Sequence, residues 1–438
     1  LVLSFGLLKL TLDSQQMSQN PFFVGGPVPP DYFFGRSSEV RTAFDQISRR
    51  AHLAIYGSPG MGKSSLLRFI ASPIVWQARG RDASKAFIVS INCTGISPFT
   101  PSGFWREILS LLQDEAEGDD SLQADIQQLL QEERVEKGDL RRMLRKIGQR
   151  DKFLLLLLDD YDAALHPNGQ YTETQMLTFL SEFRDLAVHS NEGKYFSSIV
   201  TTFRRLNELG PKITPSGSPW YNHYLFRLLR PLPANEVNTQ LTIPIPSTLK
   251  AGVLEIIDGH PALLQNAGYL LYDTLQAGQT PNIQAFTRDF ESATEQYFRD
   301  TWRFSTEEEQ ILMMLIALVR LQGRLNKNTR YALGDMDLVF SQRSRELIDL
   351  EERGVIQRTL EEGKTVYTFN SSMMEWWVIQ EIYNSNEAQL QGREKVFLNL
   401  MSREQAGTVQ KAIHWIWQHR DVVQSLVWIT RKLAGDPT

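Results

Sequence analysis

The chain has 438 residues, too many for one ordinary hydrophobic core. Its apolar share of 42%, charged share of 22% and net charge of -5 are those of a globular protein with no global field for nucleic acid or membrane. The single cysteine, Cys93, excludes an internal disulfide and any multi-cysteine metal site, and no run approaches the roughly 20 apolar residues that cross a bilayer. These features predict a cytoplasmic protein with Cys93 as a buried thiol.

The first residues are apolar but lack a basic leader and a cleavage site. Because Met17 follows soon after, residues 1–16 read as upstream translation or a fragment edge, and 1–19 as a non-native or disordered leader. Residues 20–36 are rich in Pro and Gly and end in Tyr32-Phe33-Phe34-Gly35-Arg36. Prolines 27, 29 and 30 forbid regular structure. The segment is either a surface linker or an extended strip packed beside a nucleotide base, and its aromatic density favours the strip. A helix is expected over 37–50.

His52–Tyr56 is a short apolar run suited to a buried parallel strand. It leads into Gly57-Ser58-Pro59-Gly60-Met61-Gly62-Lys63-Ser64-Ser65, which matches the P-loop pattern. Glycines let the backbone turn its N–H groups around phosphate oxygens. Lys63 supplies a positive charge for the β- and γ-phosphates, and the Ser64 hydroxyl is a hard ligand for Mg²⁺. Leu66, Leu67, Phe69 and Ile70 then mark a helix whose N-terminus favours anions.

Further strands are expected at 87–91, 153–158, 198–202 and 224–229, with three helices across 101–149. The run Phe153–Leu158 reads as a strand buried on both faces at the centre of the sheet. Asp159 and Asp160 end it in the Walker B arrangement, so Asp159 is assigned to magnesium and Asp160 to the attacking water, with Asp162 as a substitute. Thr201, Thr202, Arg204 and Arg205 end the next strand. Arg204 is the better candidate to reach the γ-phosphate, a surface salt bridge being the alternative. No Asn-Lys-x-Asp guanine reader exists, so ATP or ADP is the expected nucleotide.

The alternation predicts an α/β fold: a parallel-sheet P-loop ATPase domain over 20–232, with the loop at the carboxyl edge. Helices then take over. Residues 233–299 are expected to form a helical lid interrupted by Gly259-His260-Pro261. Residues 300–384 carry helices and a hairpin, Val355–Leu360 and Thr365–Phe369, and read as a winged helix. A helical tail, 385–438, has Val422, Leu426, Ile429 and Leu433 on one stripe near Trp415, Trp417 and Trp428. Exposed, that stripe would be a docking surface; covered, a helix packed on its own chain.

The order of Phe34-Gly35-Arg36 and Glu39, P-loop, Leu158-Asp159-Asp160, Thr-Thr-Phe-Arg, Gly259-His260-Pro261 and winged helix resembles the STAND class of AAA+-related signalling ATPases, over about residues 20–384. The resemblance implies a nucleotide-binding domain, lid and winged helix that close around ADP. It implies that Gly35 and Arg36 line the base pocket and that Pro261 touches the nucleotide from the lid. It further implies slow turnover, an open ATP state that forms a homo-oligomer, and an unknown protein trigger or effector, in a setting such as bacterial defence or regulation. Two features depart from the class. Residues 300–384 contain no histidine to lock ADP, and no repeat array follows the wing within this sequence. The alternative is a DNA-binding ATPase using its winged helix on duplex DNA. Against it, Arg343, Arg345, Arg353 and Arg358 are balanced by Glu346, Asp349, Glu351 and Glu352, with Glu361 and Glu362 at the wing turn.

Overall fold

The computed structural model describes residues 19–211, 219–361, 363–425 and 433–434. Contacts divide the chain into two compact units. One comprises Pro27–Gly57 and Gly62–Leu229; the other takes in the residues up to Gly26, Ser58–Met61 and everything from Arg230.

The first unit is built on five parallel strands: β1 (His52–Tyr56), β2 (Ala86–Asn92), β3 (Phe153–Asp159), β4 (Phe196–Thr202) and β5 (Tyr224–Leu228). Their spatial order is β2-β3-β4-β1-β5. The central strand is therefore β4, not the more apolar β3. A continuous apolar run requires only cover on both faces, and β3 has that while pairing with β2 and β4. The centre tolerates Ser197 and Ser198 because each is satisfied: Ser197 Oγ donates to Ala51 O at 2.6 Å, and Ser198 Oγ bonds His52 Nδ1 at 2.8 Å.

Helices α1 (Ser37–Arg49), α2 (Lys63–Ala71), α3 (Pro73–Ala78), α4 (Pro101–Glu115), α5 (Asp120–Leu130), α6 (Lys137–Gln149) and α7 (Glu173–Arg184) accompany the sheet. Their starts follow side-chain chemistry. Thr100 Oγ1 accepts from Gly103 N ahead of Pro101, and Thr172 with Gln175 forms a reciprocal capping box. The core on one side is aromatic, with Phe104, Trp105, Phe179, Phe183 and Phe196 packed ring against ring.

The second unit is helical. It begins with α8 (Ala234–Gln240), α9 (Ser247–Ile257), α10 (Pro261–Gln276) and α11 (Ile283–Arg303). Next come α12 (Glu307–Arg324), α13 (Asp337–Gln342), α14 (Ser344–Glu352) and an antiparallel hairpin of β6 (Ile356–Glu361) and β7 (Lys364–Phe369). Then follow α15 (Ser372–Asn384), α16 (Glu387–Gly392), α17 (Glu394–Leu400), α18 (Arg403–Gln418) and α19 (Arg420–Ser425). Phe22 packs against Gly268 of α10, where any side chain would collide with its ring, and Phe23 N donates to Gln265 Oε1 at 2.8 Å. The first part of the Pro/Gly strip thus lies on the helical unit.

Two buried ion clusters fix the hairpin region. Arg353, fully buried, pairs with Glu309 at 3.0 Å and Asp349 at 2.8 Å, and Arg324 pairs with buried Glu375 at 2.9 Å. Ser371 Oγ donates to Ile256 O at 3.1 Å and ties α15 to α9. The tail is packed on its own chain. Trp417 Nε1 donates to Ile382 O at 2.9 Å, and Trp415 meets Tyr331 at 5.3 Å between ring centroids. Val422 is half-buried and Leu433 buried. Leu426, Trp428 and Ile429 lie outside the described residues.

Candidate nucleotide site

Strand β1 and helix α2 are joined by the glycine loop, and the backbone there obeys the requirement for positive φ: +75° at Gly60 and +87° at Gly62. Helix α2 starts at Lys63 without a side-chain cap, and a Cβ on Gly62 would meet nothing within 4 Å. An uncapped helix start behind an open glycine turn is a cradle for phosphate oxygens. Gly57 is held closely, since its N donates to Thr202 O at 3.3 Å and a Cβ would stand 2.8 Å from Leu229 O.

Lys63 Nζ donates to Gly57 O at 2.7 Å. Burial lowers its pKa, while Asp162, Asp159 and Asp160 act in the opposite direction and favour the charged form. Ser64 follows Lys63 on the first turn of α2, and Ser65 Oγ accepts from Val28 N at 3.0 Å. The second part of the Pro/Gly strip therefore runs along α2, with Phe33 stacked on Phe69 at 4.4 Å. Gly35 and Arg36, both with positive φ, lead into α1.

Asp159 and Asp160 are tied to their neighbours. Thr201 Oγ1 donates to Asp159 Oδ1 at 2.5 Å and accepts from Asp160 N at 3.1 Å. Asn92, in register with Asp159, donates from Nδ2 to Asp160 Oδ2 at 3.1 Å. Asp160 has φ of +49°, a left-handed conformation that aspartate tolerates better than most side chains. Its pKa is raised by burial and then by Asp159. Asp162 accepts from Phe203 N through Oδ1 and Oδ2, at 3.2 and 3.1 Å. Arg204 lies 3.9 Å from Glu208, and Arg205 stacks on Phe226 with its guanidinium 4.8 Å from the ring centroid. Cys93 is buried, and its thiol is pushed up by burial and by the same three carboxylates, which disfavours the thiolate.

Within this unit the structure thus assembles Gly57, Gly62, Lys63, Ser64 and Ser65 with Asp159, Asp160 and Arg204 along the carboxyl edge of the sheet. Asn92 carried no expectation from the sequence, and Thr201 no role. The one available signal for Asn92 was a polar residue ending an apolar strand. The remaining loop residues belong to the helical unit. Ser58 Oγ donates to Arg353 O at 2.9 Å, His260 Nε2 bonds Pro59 O at 3.1 Å, and Ala262 N donates to Gly60 O at 3.1 Å. A Cβ on Gly60 would collide with His260 and Ala262, and Gly354 lies against Pro231 near Met61. Pro261 opens α10 between the two residues that hold the loop tip.

Residues 46–208 match the family of the AAA domain. The fold is similar to a Walker-type ATPase of Pyrococcus abyssi, with a TM-score of 0.51 and 16% identity over 82% of this chain and 99% of that one. It is also similar to the ORC2 protein of Aeropyrum pernix in its ADPNP–ADP complexes, with a TM-score of 0.50 and 15% identity over 82% and 95%. No curated protein matches the chain. No helix among the described residues is long and apolar enough to cross a membrane. The chain has a parallel-sheet P-loop fold of the AAA+-like kind, followed by a helical C-terminal region.

Proposed function

We propose that this protein is a slow ATPase that works as a molecular switch in signal transduction. Gly57, Gly62, Lys63 and Ser65 hold the phosphates, with Ser58, Pro59, Gly60 and Met61 completing the loop. Ser64 and Asp159 offer the hydroxyl and carboxylate oxygens that suit Mg²⁺, which neutralises the phosphate charge when bound. Asp160 takes the proton of the attacking water, and Arg204 answers to the γ-phosphate. Gly35, Arg36 and Pro261 contact the nucleotide, as in the STAND class.

Asn92 donates to Asp160 Oδ2 and orients the carboxylate, leaving lone pairs on both oxygens to accept the water's proton. The slow turnover is what the resemblance to the STAND class implies. The observation that supports the switch is that the middle of the loop, Ser58–Met61, is bonded to residues 260, 262 and 353 of the helical unit. The ATP state is open and oligomeric and passes the signal to a protein effector.

Read as a winged helix, α12–α14 and the hairpin lack the chemistry of a duplex reader. Arg353 is turned inward on Glu309 and Asp349, Arg343 donates to Asn399 O, and Arg358 faces Glu351 at 4.0 Å. Among the described residues no such contact involves Arg345, and phosphate binding needs a basic excess. Titration with labelled ATP analogue and random duplex DNA tests the choice. Nucleotide binding without salt-dependent DNA binding supports the switch, and the reverse overturns it.

A further inference from the structure

The turn that carries Asp160 is fastened to the strand end that carries Arg204, and Asp162 is the fastener. Asp160 opens the short turn Tyr161–Leu165. From that turn Asp162 reaches Phe203, the first residue after β4, and accepts from its N–H through Oδ1 and Oδ2 at 3.2 and 3.1 Å. Arg204 is the next residue. Thr202 Oγ1 donates to Arg204 O at 2.6 Å, so the backbone is gripped on both sides of Phe203. Thr201, two residues before Phe203, in turn bonds both Asp159 and Asp160 N. The strand end and the acidic turn therefore form one hydrogen-bonded frame.

This geometry also bears on the choice of base. Both oxygens of the Asp162 carboxylate accept from a main-chain amide. It is bonded to the strand end, whereas Asp160 is held by the side chain of Asn92.

We infer that Asp162 is a positioning residue for ATP hydrolysis: it does not take the water's proton but sets the 203–204 segment, and with it Arg204, against the Asp160 turn. The inference rests on the ATPase reading above. Its test separates a hydrogen-bond acceptor from a base. In Asp162→Asn the amide oxygen still accepts from Phe203 N, so kcat falls by no more than about threefold, whereas a lost general base costs about a hundredfold or more. In Asp162→Ala the grip is gone, and kcat falls about tenfold or more with KM for ATP within about twofold. The Asp162→Ala/Arg204→Ala double variant is no slower than the slower single variant, because both changes disable the same arm.

The inference is overturned by an Asn variant as slow as Ala, by an Ala variant with the wild-type rate, or by additive losses in the double variant. Should the Ala protein fail to fold, Asp162→Glu replaces it. That change keeps the charge but displaces the carboxylate, and the same loss of kcat is expected. Amide exchange at Phe203 gives a second reading: protected in wild type and Asp162→Asn, fast in Asp162→Ala. A wild type no faster than Asp160→Asn overturns the ATPase reading instead, and exchange then still reports whether the grip exists.

Discussion

Lys63 donates to a carbonyl of its own loop at 2.7 Å, and three carboxylates act to keep it charged in a buried position. Its proposed role rests on that charge. Lys63→Ala is expected to weaken ATP and ADP binding by about 1.5–3 kcal/mol, the scale of one charged hydrogen bond, in a titration with a fluorescent analogue. A second residue-scale effect belongs to the opposite end of β1. His52 and His223 are packed with ring centroids 5.2 Å apart, and burial lowers their pKa values to about 4 and about 3. An unfolded imidazole titrates near ~6.5. Below that pH the unfolded chain takes up protons that the folded chain refuses, so stability is full above about pH 6.5 and falls as the pH drops toward 4. Urea midpoints at pH 7.5 and 5 measure the slope, which His52→Gln should reduce. The loop and acids stood out in the sequence as candidates because nucleotide chemistry calls for those residues in that order. Asn92 and the bridging role of Thr201 did not, because many strands end in a polar residue and only the register β2-β3-β4 brings these two to the acids.

At the scale of elements, apolar runs found all five strands, and the step from alternating strands to helices near residue 230 was equally visible. The position of β3 was not. Sequence reports that a strand is covered, but the order in the sheet depends on crossovers that leave no local mark. The tail divides in the same way. Its helical period was readable, yet what covers it came only from contacts such as Trp417 with Ile382 O and Trp415 with Tyr331. The described part of the tail therefore belongs to the core of the helical unit. Trp417→Phe keeps most of the ring volume and removes one hydrogen bond to a main-chain carbonyl, so a loss of about 1 kcal/mol is expected from chemical denaturation, with nucleotide affinity unchanged. A cost far below that would leave the tail free for a docking role.

For the whole molecule, the middle residues of the glycine loop, Ser58–Met61, group with the helical unit. The sequence marked Ser58, Pro59 and Gly60 as loop residues, but their hold on residues 353, 260 and 262 spans more than 200 positions and has no local signature. A switch built this way should assemble when ATP is trapped. Light scattering of Asp160→Asn with Mg-ATP is expected to report a mass above that of the ADP-bound wild type, and an equal mass would remove oligomerisation from the account. The claim on which the rest depends is that this loop and this acid hydrolyse ATP. It is tested most directly by single-turnover hydrolysis of bound, labelled Mg-ATP in wild type and Asp160→Asn. Both proteins are expected to bind the nucleotide, and only the wild type slowly converts it to ADP, because the amide cannot accept the water's proton. Conversion at the wild-type rate in Asp160→Asn, or no binding by either protein, would contradict it.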